Sequence, residues 1–180
     1  DSAPVDQGTA TRPRVLFVGR VGLRKGIPAL LRAFAPLRAR ATLHLAGPIE
    51  PAIRPLLEKL PTDGVTFHGP VDRQTLSALY ARADLFCLPS REEGLALVLL
   101  QAAAAGCRVV ATALPGVKEL APVLGDVLST IAVPAHDGPD RLAAGSEESF
   151  ARDIASALSR ALSDGPPQDI DAVRRRLDAC

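Results

Sequence analysis

Short apolar runs alternate with amphipathic stretches along most of this chain. Runs such as VLFV, DLFCL and RVVATA are apolar at nearly every position, the pattern of strands covered on both faces. They predict strands at residues 14–19, 41–46, 65–68, 84–88, 108–113 and 127–133. Between them, apolar residues recur at helical spacing over 27–37, 51–60, 73–83, 95–105 and 117–124. Two further helical patterns, 147–162 and 168–179, follow the last strand. Asp72 reads as an N-cap, Gly106 as a helix stop, and the DGPP run at 164–167 as the end of the penultimate helix. This alternation implies βαβ units. The expected fold is a single α/β domain, doubly wound and Rossmann-like, with a mostly parallel sheet of about six strands. Right-handed crossovers then bring every strand-to-helix loop to the carboxyl edge of the sheet, where such folds bind ligands.

Two stretches fall outside the pattern. Residues 1–13 are polar and aperiodic, a linker or tail ahead of a domain at 14–180. The polar stretch 135–149 is long for a routine connection, and reads either as a mobile functional loop or as a surface insertion.

Composition narrows the function classes. At 180 residues the chain can bury a sizeable core, and with aromatics at 3% that core must be built from Leu, Val, Ile and Ala. Its 21 basic and 20 acidic residues leave a net charge of +1, which argues against a nucleic-acid partner. Cys87, Cys107 and Cys180 form no CxxC pair and have no histidine at ligand spacing, so no metal site is expected. Cys87 and Cys107 sit in apolar runs as reduced thiols, which suits a cytoplasmic setting. No apolar run reaches membrane-spanning length and no signal peptide opens the chain. A chain without Met that begins with Asp is expected to be a piece of a longer polypeptide.

The candidate chemistry lies in the loops after the strands. GRVGLRKG, following the first strand, offers Arg20 and Lys25 beside Gly19, where backbone can approach a ligand. Two fixed cations near a helix start suit a diphosphate; two solvated surface cations are the alternative. In SREEGLALVLLQAAAAG, Glu93 and Gly94 stand at the expected helix start, and Gln101 lies eight positions after Glu93. Residues at that spacing on one helix share a face, so the pair is expected to line one cleft with the helix amides. Glu93 could accept from sugar hydroxyls or merely complement the helix dipole. Gln101 could face a cleft or bond a backbone group. His68, at the end of the third strand, could touch a ligand or cover the strand end. His44 reads as structural, and His136 has no recognisable partner. The three histidines support no nucleophilic triad.

Together, VLFVGRVGLRKGIPALLRAF, LHLAG, VTFHG, DLFCLPSREEGLALVLLQAAAAGCRVVAT and LPGVKEL resemble the carboxyl-terminal domain of family 4 retaining glycosyltransferases of the GT-B fold. The resemblance runs over roughly residues 14–120, and its specificity lies in the order and spacing of the segments. It implies a domain that binds a nucleotide-sugar donor such as a UDP- or GDP-sugar, without a cofactor or metal. Arg20 and Lys25 match the pair that holds the donor diphosphate, and Glu93 matches the first acid of the Glu-x7-Glu motif, which contacts the sugar. Gly94, Leu95 and Ala96 fall in the motif's EGFG stretch, with Ala96 where Gly is usual. Gln101 replaces the second acid, which binds the ribose, and exchanging a charge-assisted hydrogen bond for a neutral one should weaken that contact by about 1 kcal/mol. The resemblance further implies an amino-terminal domain in the same polypeptide and an acceptor that is a glycan, lipid or small molecule. The expected setting is cytoplasmic, with a peripheral place at the inner membrane face left open. A non-catalytic assembly module, or half of a sugar-nucleotide epimerase or phosphorylase, shares the architecture.

Overall fold

A computed structural model describes residues 12–94, 96–135, 143 and 145–178. Among these, six strands form one sheet in the order β3-β2-β1-β4-β5-β6, with every neighbouring pair parallel. The strands are β1 (Arg14–Val18), β2 (Thr42–Ala46), β3 (Val65–Gly69), β4 (Leu85–Leu88), β5 (Arg108–Thr112) and β6 (Leu128–Ile131). The helices are α1 (Ile27–Phe34), α2 (Arg54–Leu57), α3 (Arg73–Ala81), α4 (Leu97–Ala105), α5 (Pro115–Leu124), α6 (Ser146–Asp164) and α7 (Ile170–Asp178). The α/β, doubly wound reading of the sequence therefore holds.

The order reverses between β1 and β4. Chain growth runs outward from β1 through β2 to β3, then returns to β4 and continues through β5 to β6. With right-handed crossovers, this places α1 and α3 on opposite faces and opens a crevice at the carboxyl ends of β1 and β4. α6 packs beside α1, and α7 packs on α4 and α5. All four residues of β4 are buried, as are the three central residues of β1. Phe17, Phe34, Phe86 and Phe150 are fully enclosed in the core, and each contributes about 1.5–3 kcal/mol by leaving water. Few aromatics therefore go a long way here.

Several element bounds differ from the sequence pattern. The helix expected at 51–60 is a 3-10 turn, Pro51–Ile53, running into the short α2. Proline is best tolerated in the first turn of a helix, and Pro51 and Pro55 each open a short turn instead of continuing one. α5 starts two residues before the expected 117, with Pro115 in its first turn. Ser146 already belongs to α6, so the stretch at 135–149 is shorter as a connection than its polarity suggests. Asp72 is the N-cap of α3 as expected, its side chain accepting the Thr75 amide at 2.7 Å. That bond holds the Asp72 carboxyl below its ordinary pKa.

The largest consequence comes at α4. The helix expected over 95–105 begins at Leu97, with Ala96 as its N-cap (φ −83°, ψ 67°) and no side-chain cap. Glu93 therefore precedes the helix, and the geometry of Glu93 and Gln101 on one helical face does not exist.

Candidate donor site at the carboxyl edge

The loops after β1 and β4 meet at the crevice. Gly26, the N-cap of α1, has φ 69°, in the left-handed region. A Cβ there would stand 2.0 Å from the Pro89 carbonyl oxygen, so only glycine allows the two loops to close on each other. The Arg91 amide donates to the Arg24 carbonyl at 2.8 Å, which fixes their register. A similar contact joins the loops after β1 and β2: Gly47 has φ 139°, and a Cβ there would meet the Gly19 carbonyl oxygen at 2.0 Å.

Side chains complete these seams. Lys25 Nζ donates to Glu93 Oε1, and Arg24 pairs with Glu92. Ser90 Oγ donates to the same Glu93 oxygen at 2.7 Å. The Lys25 and Glu93 side chains are 27% and 13% exposed, so their pair is sheltered without being closed off from solvent. Arg20 projects at the same edge, 69% exposed, with its Nε 4.0 Å from Glu50 Oε1. Arg20, Arg24 and Lys25 thus each stand against one carboxylate. An anionic ligand reaching Lys25 must share it with Glu93, and a hydroxyl reaching Glu93 finds an acceptor already oriented by two donors.

The structure brings some candidates together and separates others. Gly19, Arg20, Lys25, Glu93, Gly94 and Ala96 all belong to the carboxyl-edge loops or the α4 cap. Gln101 is exposed on the second turn of α4 and faces α3, where Tyr80 Oη donates to its Oε1 at 3.3 Å. It borders a groove of about 510 Å3 that also involves Arg73, Ser77 and Arg174. His68 pairs with His44 across the β2–β3 ladder, the His44 Nδ1 to His68 Nε2 distance being 3.0 Å and the rings stacked at 5.3 Å. Leu95, His136 and Cys180 lie outside the described residues. Ser90, fully buried, is a residue that sequence reasoning passed over, although its spacing of three from Glu93 is visible in PSREEG.

Burial holds the His44 pKa below its ordinary value of 6.5, and the charges of His68 and Arg14 push in the same direction. The unfolded chain therefore takes up this proton more readily than the folded one. The resulting stability is complete above the unfolded value and is lost as pH falls below it. The melting temperature should fall between about pH 7.5 and 5.5, and His44→Gln should flatten that slope. An unchanged slope in the variant would assign the effect to other groups. The thiols behave differently: burial raises both, with Cys107 pushed up to about 12, so neither is a nucleophile at neutral pH. Among the described residues, no group of three or more His, Cys, Asp or Glu is placed to hold a metal ion.

Residues 12–163 match the family described as glycosyl transferases group 1. The chain belongs to that family. Its relatives include the D-inositol 3-phosphate glycosyltransferase of Xylanimonas cellulosilytica, 36% identical over 141 residues that cover 74% of this chain and 32% of that protein. Sulfoquinovosyl transferase SQD2 of Arabidopsis thaliana is 32% identical over 119 residues, covering 66% of this chain and 23% of that protein. Among solved structures, WaaG, a glycosyltransferase involved in lipopolysaccharide biosynthesis, superposes with a TM-score of 0.68 at 26% identity. That superposition covers 96% of this chain and 44% of the WaaG chain. The group 1 chain thus spans a third or less of these two curated relatives, and the domain fold is the one the GT-B resemblance implies.

Proposed function

We propose that this group 1 domain binds the nucleotide-sugar donor of a glycosyltransferase that transfers a sugar with retention of anomeric configuration. The observation that carries this reading is the Lys25–Glu93 pair bridging the two loops at the strand-order reversal. Cation and carboxylate lie side by side, an arrangement that suits a donor's diphosphate next to its sugar. Lys25 and Arg20 would hold the diphosphate and stabilise the charge that grows on it as the sugar departs. Glu93, steadied by Ser90, would accept hydrogen bonds from the sugar hydroxyls. The developing charge would sit on the leaving group, beside cations already held in place. One relative's name carries an inositol phosphate and another's a transferred sulfoquinovosyl group, so the acceptor here is left at the level of a glycan, lipid or small molecule, bound with the help of a second domain.

Titrating UDP- and GDP-sugars calorimetrically into the chain tests this reading. Saturable heat with at least one of them is expected. No heat at millimolar nucleotide sugar, from a chain shown to be folded, would count against it.

A second reading, a non-catalytic module on the same fold, draws on Gln101. Its carbonyl oxygen faces Tyr80, so this position is committed to a contact between α3 and α4. Under that reading Arg20→Ala in the parent protein leaves transfer unchanged; under the first it abolishes most of it.

A further inference from the structure

A second concentration of cations lies at the amino edge of the sheet, a strand's length from the donor loops. Arg14 opens β1, Arg12 precedes it, and Arg82 follows the last turn of α3. With Pro13 and Asp84 these three line a cavity of about 350 Å3. Two more arginines flank it. Arg12 Nη1 donates to the Arg38 carbonyl at 2.9 Å, and the Thr42 amide donates to the Pro13 carbonyl at 2.9 Å, which lays the turn carrying Arg40 alongside. Arg12, Arg38, Arg40 and Arg82 are exposed, and Arg14 is half-buried.

Charge at this edge is not balanced as it is elsewhere. Arg20, Arg24, Lys25 and Arg32 each stand against a glutamate. Among the described residues, none of the five amino-edge arginines forms a salt bridge. Asp84 is the one carboxylate lining the cavity, and its Oδ2 already accepts the Arg14 backbone amide at 2.7 Å. Three guanidiniums therefore share a cavity with one partly engaged carboxylate. Their planar donor forks match the oxygens of a phosphate group, and an anion of more than one charge is needed to offset them. No aromatic side chain lines the cavity, so nothing there stacks on a nucleobase.

We propose that Arg12, Arg14 and Arg82 form a binding site for a phosphate-bearing ligand, separate from the donor loops. The ligand's phosphate sits between the guanidiniums, and Arg38 and Arg40 add attraction at longer range. This site neither requires nor contradicts the donor reading, because it uses none of the same residues.

Inorganic pyrophosphate is the probe, titrated at low salt into the isotope-labelled chain while amide shifts are followed by NMR. Saturable shifts are expected at Arg14, Arg82 and Asp84. Arg82→Gln and Arg14→Gln should each weaken this binding about tenfold, as losing a charge-assisted contact does, and should leave any shifts at residues 19–26 unaltered. Saturable shifts at the amino edge that both variants retain while melting normally would overturn the proposal. A second arm separates the sources of phosphate. Sedimentation with phosphatidylcholine vesicles containing phosphatidic acid, lost in Arg82→Gln and absent with phosphatidylcholine alone, assigns a lipid headgroup. Saturable pyrophosphate binding without sedimentation assigns a soluble phosphoanion, and absence of both overturns the site.

Discussion

Gly26→Ala is expected to destabilise the chain by about 2–5 kcal/mol and to loosen the loops after β1 and β4 at once. Two costs add. The left-handed backbone at φ 69° is unfavourable for alanine by roughly 1–2 kcal/mol. The added methyl would also stand 2.0 Å from the Pro89 carbonyl oxygen and 3.4 Å from the Phe150 ring, and such overpacking typically costs about 1–3 kcal/mol. Relief of the clash requires the loop after β1 to move away from the loop after β4, which also pulls Lys25 from Glu93. Urea unfolding reads the stability change as a lower midpoint at unchanged slope. Gly94→Ala is the control. Gly94 is exposed, and a Cβ there meets no atom within 4 Å, so its midpoint should stay near the parent value. Equal midpoints for Gly26→Ala and the parent chain would show that the loops do not need this contact.

Lys25→Ala is expected to reduce kcat/KM of the parent enzyme by about a hundredfold or more, the usual effect of removing one preorganised donor to developing charge. Stability should change far less. The pair is intermediate between an exposed ion pair and a buried one, at 27% and 13% exposure, so a loss of about 1–2 kcal/mol is expected. Glu93→Gln keeps an oxygen for the Ser90 hydroxyl but removes the charge facing Lys25. Combining the two substitutions should cost less than the sum of the single effects, because each alone strands its own partner. Transfer unaffected by Lys25→Ala would instead favour the non-catalytic module.

Strands were legible because β1, β4 and β5 are enclosed on both faces, and only continuous apolar runs satisfy that burial. α4 was harder to read. Leu97–Ala105 is apolar nearly all round, so its periodicity carries no phase, and neither its first turn nor the direction of Gln101 can be taken from the pattern. Gln101 faces α3 because Tyr80 is there to meet it, a tertiary fact across a separation of 21 residues. The pairing of His68 with His44 depends in the same way on the β2–β3 register and its shift between Leu45 and Ala46. By contrast, the Arg20, Lys25 and Glu93 loops were placed at one edge by topology alone, since parallel strands with right-handed crossovers leave nowhere else for them. Ser90 escaped notice because a serine in a loop is ordinary until its burial is known. The amino-edge arginines, scattered from position 12 to 82, gather only when the sheet is assembled.

The most direct test of the central claim is an amide chemical-shift map of the labelled chain with a UDP- or GDP-sugar. Donor binding at the strand-order reversal predicts saturable shifts concentrated at residues 19–26 and 90–96, weakened by Lys25→Ala. Shifts confined to the amino edge around Arg14 and Arg82, or none at millimolar nucleotide sugar, would contradict it.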